Sequence, residues 1–304
     1  MEIKTLRYFL TIARMENMTK ASEILHVTQP TLSKALKELE EELGKKLFLR
    51  KSTKMVLTEE GLLLKKRAED IVGMTDKTIG EFKTLSDLTG GDVYLGCAES
   101  YQIRYLAKAL KKVRETCPDI HFHMFSGDTE HVAEKLDKGL LDLAVFVENP
   151  DMSKYNVVRV PETDSFGAVV LNNHPLSRLK SVSFDDLKNY PLICSEQCFH
   201  KDLPRWCGEK RDELDIIGFN TLPYNGTAFV RENMAVMLTF DKLLYCGKDS
   251  EFSFIPLNPP LECPFYFVWR KYQAFTPVAA LLLDCIKQAV RSSCPETEIT
   301  SNSL

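Results

Sequence analysis

Thr28-Gln29-Pro30-Thr31-Leu32-Ser33-Lys34-Ala35-Leu36-Lys37-Glu38-Leu39-Glu40 is the stretch that decides the fold of this chain. Leu32, Ala35, Leu36, Leu39 and Leu43 recur at helical spacing and predict a buried stripe. At about 100° per residue, Ser33, Lys34 and Lys37 point away from that stripe, near Pro30 and Glu41. Thr28 suits an N-cap, Pro30 is tolerated in a first turn that lacks intrahelical N–H partners, and Gly44 stops the helix. One face is built to pack and the other carries cations.

The flanking residues give that helix a setting. Leu6, Phe9, Leu10 and Ala13 sit at i, i+3, i+4 and i+7 and predict a first amphipathic helix. A second is predicted over 20–25, with Thr19 as its cap, and His26-Val27 makes a tight corner before Thr28. Two short helices joined this way match a helix-turn-helix, whose second helix enters the major groove. Beyond Gly44, residues 47–49 and 55–57 read as short strands around the tip Arg50-Lys51-Ser52-Thr53-Lys54. Its cations suit phosphate or the minor groove. Residues 1–58 thus predict a winged helix-turn-helix. Charge agrees: this head carries eleven Lys and Arg against seven Asp and Glu, net +4, leaving −8 for the rest of a chain whose total is −4.

The 304 residues are enough for about two domains with cores of their own. No apolar run approaches the roughly 18 residues of a membrane span. The first residues run charged into the fold rather than forming a secretory signal, so a cytoplasmic protein is expected, its nine cysteines mostly thiols. From Thr58 to about residue 85 there is no proline and the charges interleave. Leu64, Ala68, Ile71, Thr75, Thr78, Phe82 and Leu85 follow a 4,3 spacing that predicts a dimer seam on a linker helix over 59–88. At 1.5 Å per residue it would span about 42 Å.

Thr89-Gly90-Gly91-Asp92 breaks the helix, and an α/β pattern follows over 89–292. Strand-like 93–97, 120–125 and 141–147 alternate with helices over 101–116 and 128–139, which implies a largely parallel sheet. A second unit holds strand-like 166–171 and 192–194 and a helix around 227–238. Strand-like 265–269 and a helix over 277–290 return to the first unit. Two lobes are therefore expected, one from about 91–162 and 263–292, the other from about 163–262, with a polar tail over 293–304.

Three segments carry a family resemblance. They are Ala21-x3-Leu25-x3-Gln29-Pro30-Thr31-x-Ser33, then Leu39-Glu40-x2-Leu43-Gly44-x2-Leu47-Phe48-x-Arg50, then Leu57-Thr58-x2-Gly61. They resemble the N-terminal signature of LysR-type transcriptional regulators. Ser22 departs from it, where the family usually has a second alanine. The resemblance implies a cytoplasmic regulator with an N-terminal winged helix-turn-helix, a long linker helix and a C-terminal α/β two-lobed periplasmic-binding-protein-like effector domain. It also implies a homodimer on an inverted-repeat double-stranded DNA operator, extending to a homotetramer, with a small-molecule effector and no cofactor. Gln29, Pro30, Thr31, Ser33, Lys34 and Lys37 on the helix, with Arg50 and Lys54 on the wing, are then the DNA-contact candidates. Gln29 can pair with adenine in two places, Ser33 can meet a base or a phosphate, and Lys34 and Lys37 can reach guanine or phosphate.

In such a body the ligand lies between the lobes, at strand ends and helix N-termini, where free N–H groups favour anions. The candidates are Ser100, Tyr101, Asp128, Thr129, Phe146, Val147 and Glu148 in the first lobe. In the second they are Ser195, Gln197, Asn225, Gly226 and Thr227. Asp128 and Glu148 would repel a simple carboxylate unless they face away or bind a cationic group. Arg231-Glu232-Asn233-Met234 replaces a glycine-rich turn usual in the family. Cys198 and Cys207 are spaced like the redox pair of peroxide-sensing members, which offers a redox-sensing regulator as an alternative. Cys194-x3-Cys198-x-His200 lacks the paired ligand set of a zinc site, so no metal is expected. The alternative from another class is an α/β enzyme acting on a small ligand, suggested by His121, His123, Asp142 and Glu148. It has no nucleophile motif or phosphate loop behind it.

Overall fold

The protein, represented by a computed structural model, is described over residues 1–51, 54–84 and 90–293. It divides into two units, Met1–Lys83 and Thr84–Leu304. In the first, helices α1 (Ile3–Met15), α2 (Met18–Ile24) and α3 (Gln29–Leu43) enclose a core of Leu6, Phe9, Ile12, Ala21, Leu32, Leu36 and Leu39. The cap of α2 is Asn17, not Thr19: its side chain accepts the Lys20 N–H at 3.0 Å. The helix can therefore start at Met18, whose side chain is buried. Thr28 caps α3 by accepting the Thr31 N–H at 3.4 Å. Gly44 ends it at φ 65°, a left-handed conformation that costs glycine little. Leu43 lies past the packed stripe and is 40% exposed.

Strands β1 (Phe48–Lys51) and β2 (Lys54–Leu57) pair antiparallel, with Lys51 opposite Lys54 and Arg50 opposite Met55. Ser52 and Thr53 of the predicted tip lie outside the described residues. The Met55 N–H donates to the Glu16 carbonyl at 2.8 Å, which fastens the wing to the end of α1.

Helix α4 (Glu59–Thr84) begins where Thr58 accepts the Gly61 N–H at 2.9 Å and donates to the Lys46 carbonyl at 2.7 Å. A Cβ at Gly61 would run into the Leu47 carbonyl oxygen, so only glycine lets α4 start this close to the wing. That tether presses the first turns of α4 onto the head. Leu64 and Ala68, predicted as seam positions, instead pack with Val72 in the head's own core, Ala68 being fully buried. Ile71, Thr78 and Phe82 remain exposed further along, and Thr75 is half-buried. The Thr75 and Thr78 hydroxyls donate to the Ile71 and Met74 carbonyls at 2.8 and 2.9 Å, so neither polar group needs a partner outside the helix. Leu85 lies outside the described residues.

The second unit is α/β. Its elements run β3 (Gly90–Cys97), α5 (Arg104–Thr116), β4 (Asp119–Ser126), α6 (Thr129–Asp137), β5 (Leu143–Phe146) and β6 (Tyr155–Leu171). Then come α7 (Phe184–Leu187), β7 (Leu192–Cys194), α8 (Leu203–Cys207), β8 (Ile216–Phe219), α9 (Pro223–Arg231), β9 (Val236–Phe240), β10 (Phe252–Pro256), β11 (Glu262–Arg270) and α10 (Pro277–Ser293). The strand order is β4-β3-β5-β11-β6-β9-β7-β8, with β10 also on β6. The expected parallel pairing is found in β4-β3-β5 and in β9-β7-β8. It fails at the centre, where β6 and β11 run antiparallel to each other and to their neighbours.

Those two strands join the lobes. Tyr155 to Arg159 of β6 pair with β11 in the first lobe, and 166–171 pair with β9 and β10 in the second. Between them the β6–β11 register shifts opposite Phe265. Pro161 sits in that irregularity, where its missing N–H breaks no regular ladder bond. The predicted helix around 227–238 is also corrected: α9 ends at Arg231, Asn233 turns the chain at φ 53°, and Leu238 lies in β9. Among the described residues, no helix is long and apolar enough to cross a membrane.

Candidate functional site

The outer face of α3 is open. Gln29, Pro30, Thr31, Lys34 and Lys37 are exposed and Ser33 is half-exposed, while Leu32, Leu36 and Leu39 hold the helix from behind. Lys34 reaches Glu38 at 3.7 Å and Lys37 reaches Glu41 at 3.3 Å, but both lysines are over 70% exposed. Such i,i+4 pairs are worth about 0.3–0.5 kcal/mol in water and yield readily to a phosphate. Lys54 on the wing is held loosely by Glu16 at 3.4 Å. Glu40, at the far end of α3, escaped the sequence reading. It is buried, accepts the Leu47 N–H at 2.9 Å and takes Lys46 at 2.6 Å, so it locks the start of the wing to the end of α3.

Within the second unit, a small cleft of about 60 Å³ opens between the lobes. Ala98, Glu99, Gly127, Asp128 and Val147 line it from the first lobe. Phe166, Ser195, Gln197, Asp202, Asn220, Thr221, Pro223, Leu238, Thr239, Phe240 and Leu243 line it from the second. Of the predicted residues, Asp128, Val147, Ser195 and Gln197 are therefore together. Thr129, Phe146 and Glu148 border a neighbouring depression, shared with Asp128 and Gln197. Burial pushes the Glu148 carboxyl up, and nearby Lys201 opposes that rise.

The other five predicted residues line neither the cleft nor this depression. The Ser100 hydroxyl donates to Asp164, a carboxylate buried where β6 crosses between lobes, and Tyr101 is exposed beside Arg104. Asn225, Gly226 and Thr227 sit inside α9, because the helix opens at Pro223. A Cβ at Gly226 would collide with Met237, and the Thr227 hydroxyl donates to the Tyr224 carbonyl at 2.7 Å. Asn220-Thr221, just ahead of α9, reaches the cleft instead.

Several of the expected anion-favouring groups at the helix starts already have partners within the protein. Asp128 accepts the His131 N–H at 2.9 Å, and the Thr129 N–H donates to Gln197 Oε1 at 3.0 Å, a bond from lobe to lobe. Ser195 Oγ accepts the Cys198 N–H at 3.0 Å, and Pro223 has no N–H to offer. What remains open is of the opposite kind. Asp202 is 1% exposed, and its Oδ2 lacks a partner; so does the buried Asn220 Oδ1. Asp202 Oδ1 accepts from Arg205 at 3.1 Å and from the Cys263 thiol at 3.5 Å. Burial nevertheless raises the Asp202 carboxyl to about 6.

Cys198 and Cys207 lie on one continuous rod, a π-helical turn Cys198–Asp202 running into α8. Nine residues along a helix separate their Cα atoms by about 13 Å, against the 7 Å a disulfide tolerates, so bridging them requires unwinding. Cys198 keeps its proton because Cys194 bonds to it and it is fully buried. Burial also raises Cys207, whose thiol donates to the Leu203 carbonyl at 3.3 Å. The other reactive-looking residues serve the fold. Asp142 accepts the Tyr94 N–H at 2.7 Å, and His123, on exposed β4, pairs with Asp92 at 2.6 Å and stacks on Tyr94. Among the described residues, no group of three or more His, Cys, Asp or Glu side chains is placed to hold a metal ion.

A winged helix-turn-helix on the same chain as a two-lobed body with a cleft defines the class of ligand-responsive DNA-binding regulators. Comparison with known proteins makes the class specific. Residues 3–62 match the bacterial regulatory helix-turn-helix protein, lysR family, and residues 86–291 match the LysR substrate binding domain. The chain belongs to the LysR family of transcriptional regulators, DNA-binding proteins with an effector-binding domain. It is 30% identical over 198 residues to the HTH-type transcriptional regulator BsdA of Bacillus subtilis (strain 168), covering 64% of this chain and 66% of that one. It is 28% identical over 278 residues to the uncharacterized HTH-type transcriptional regulator YwbI of the same organism, covering 89% and 91%. Its fold resembles full-length CbnR, solved with its target DNA, at TM-score 0.71 and 17% identity, covering 95% of this chain and all of the other.

Proposed function

We propose that this regulator works in the cytoplasm as a dimer, reading an inverted-repeat duplex through α3 and the wing, and that a small molecule in the inter-lobe cleft controls it. The observation that carries the DNA reading is the face of α3. Gln29, Pro30, Thr31, Ser33, Lys34 and Lys37 are open to a groove, with Leu32, Leu36 and Leu39 fixing the helix behind them. Gln29 and Ser33 supply base-edge donors and acceptors, and Lys34, Lys37, Arg50 and Lys54 supply phosphate contacts. The exposed Ile71, Thr78 and Phe82 of α4 offer a seam that a second copy can cover. The dimers pair further into a tetramer.

The body binds and does not catalyse. Burial keeps Cys198 and Cys207 protonated, and among the described residues the cleft lining holds no cysteine and no histidine. Ligand control follows if the effector favours one arrangement of the lobes, and so one spacing of the heads, over another. The test is fluorescence anisotropy on a duplex selected from genomic DNA, with salt varied. Two heads that each engage about four phosphates predict a slope of log affinity on log salt near −7. A slope near zero, or equal affinity for scrambled duplexes, refutes the DNA reading. Footprints that stay identical with and without a ligand bound in the cleft refute the control mechanism.

A further inference from the structure

We propose that the cleft between the lobes selects a small organic cation, a protonated amine on an apolar body, in preference to a carboxylate. The proposal rests on the reading of that cleft as the effector site. Among the described residues, the charged side chains that line it are Glu99, Asp128 and Asp202, and no lysine, arginine or histidine lines it. The atoms left without partners there are acceptors. Asp202 Oδ2 belongs to a side chain that is 1% exposed, and Asn220 Oδ1 is held by its amide donating to the Leu222 carbonyl at 3.3 Å. A buried carboxylate oxygen with nothing bound to it is costly, and an ammonium group brings three N–H donors.

Arg205 does not already fill this role. It takes Asp202 Oδ1, together with the Cys263 thiol, and its other nitrogen donates to the Glu262 carbonyl at 3.1 Å. The raised Asp202 carboxyl agrees that these partners leave the burial of its charge incompletely offset. An anion entering the cleft meets neither a lining cation nor the helix-start N–H groups of Thr129 and Cys198, which Gln197 and Ser195 already hold. Phe166, Leu238, Phe240 and Leu243 give the body of the ligand an apolar wall. The lining thus favours a ligand that carries positive charge for Asp202 and Asn220 and hydrocarbon for the apolar wall.

Three probes of one shape and different charge test this in the full-length protein by titration calorimetry at pH 7.5: benzylammonium, benzoate and benzyl alcohol. At about 0.3 kcal/mol per heavy atom, benzylammonium is expected to bind with a dissociation constant near 20 mM or tighter. Benzoate and benzyl alcohol should bind at least about tenfold more weakly, a charged hydrogen bond being worth about 1.5–3 kcal/mol. Asp202→Asn should weaken benzylammonium about tenfold and leave benzyl alcohol unchanged. Glu99→Gln, at an exposed position, should weaken it about threefold. Benzoate binding as well as benzylammonium overturns the cation assignment and leaves the cleft a ligand site. Benzylammonium binding that neither variant weakens also overturns it. Failure of all three probes to bind at tens of millimolar overturns both the assignment and the reading of the cleft as a small-molecule site.

Discussion

Replacing Asp202 by asparagine should stabilise the body at neutral pH and do nothing in acid. The side chain is 1% exposed, accepts from Arg205 and Cys263 through Oδ1, and has no partner at Oδ2. Burial is the main reason that its carboxyl rises from 3.8 to about 6, with Cys263 and Arg205 pulling the other way. A raised acid holds its proton in the folded state at pH values where the unfolded chain has released it. Unfolding then releases a proton, so stability is fullest below about pH 4, falls as pH climbs to about 6, and is level above. At about 1.4 kcal/mol per pH unit, that interval amounts to about 3 kcal/mol by pH 7. Asparagine keeps the acceptor that faces Arg205 and Cys263 but never ionises. Arg205 loses a counter-charge, although it is half exposed and well solvated, so the net gain should be about 1–3 kcal/mol at pH 7.5 and close to zero at pH 4. Urea unfolding of both proteins at the two pH values measures it. A difference that does not change with pH, or a variant weaker than the parent only at pH 7.5, refutes the reasoning.

Three more predictions follow from the head and the linker. Glu40→Ala strands the buried Leu47 N–H and frees Lys46, and should cost about 1–3 kcal/mol in urea unfolding of the head; an unchanged midpoint would remove Glu40 from the fold's supports. Gly44→Ala, at φ 65° with open space around it, should cost about 1 kcal/mol through backbone strain alone, measured the same way. Ile71→Glu with Phe82→Glu should lower the molar mass in sedimentation and weaken operator binding, because both side chains are exposed in the single chain, at 37% and 73%; an unchanged mass rejects the seam.

Most of the head is legible in the sequence because local chemistry decides it. Thr28 and Gly44 are caps whose partners lie within one turn, and Leu32, Leu36 and Leu39 need only helical periodicity to declare a face. The linker was legible as a helix but not as a surface. Periodicity puts Leu64, Ala68, Ile71 and Phe82 on one stripe, and only the Thr58 tether and the close approach at Gly61 turn the first two inward. In the body, alternating strands and helices were readable, whereas Pro161 hid a strand that spans both lobes. A proline reads as a break unless a bulge elsewhere in the chain accommodates it, and Phe265 is about a hundred residues away.

The cleft was legible in part for a related reason. Asp128, Val147, Ser195 and Gln197 follow strands or open helices and could be found by position. The start of α9 was expected around residue 227, four residues late, since Pro223 marks the first helical position, and with it Asn220 and Thr221 were missed. Asp202 gives no signal of its own. An aspartate in a polar-looking segment reads as surface, and only the packing of the π-helical turn buries it.

The central claim, that the outer face of α3 reads DNA, is tested most directly by Ser33→Glu. Ser33 is half-exposed on that face, one residue from the buried Leu32, so glutamate fits without disturbing the core. Against the phosphates of a groove its charge should reduce operator affinity about tenfold or more, with unfolding by urea unchanged. Operator binding equal to that of the parent protein, in the same salt, would contradict the account.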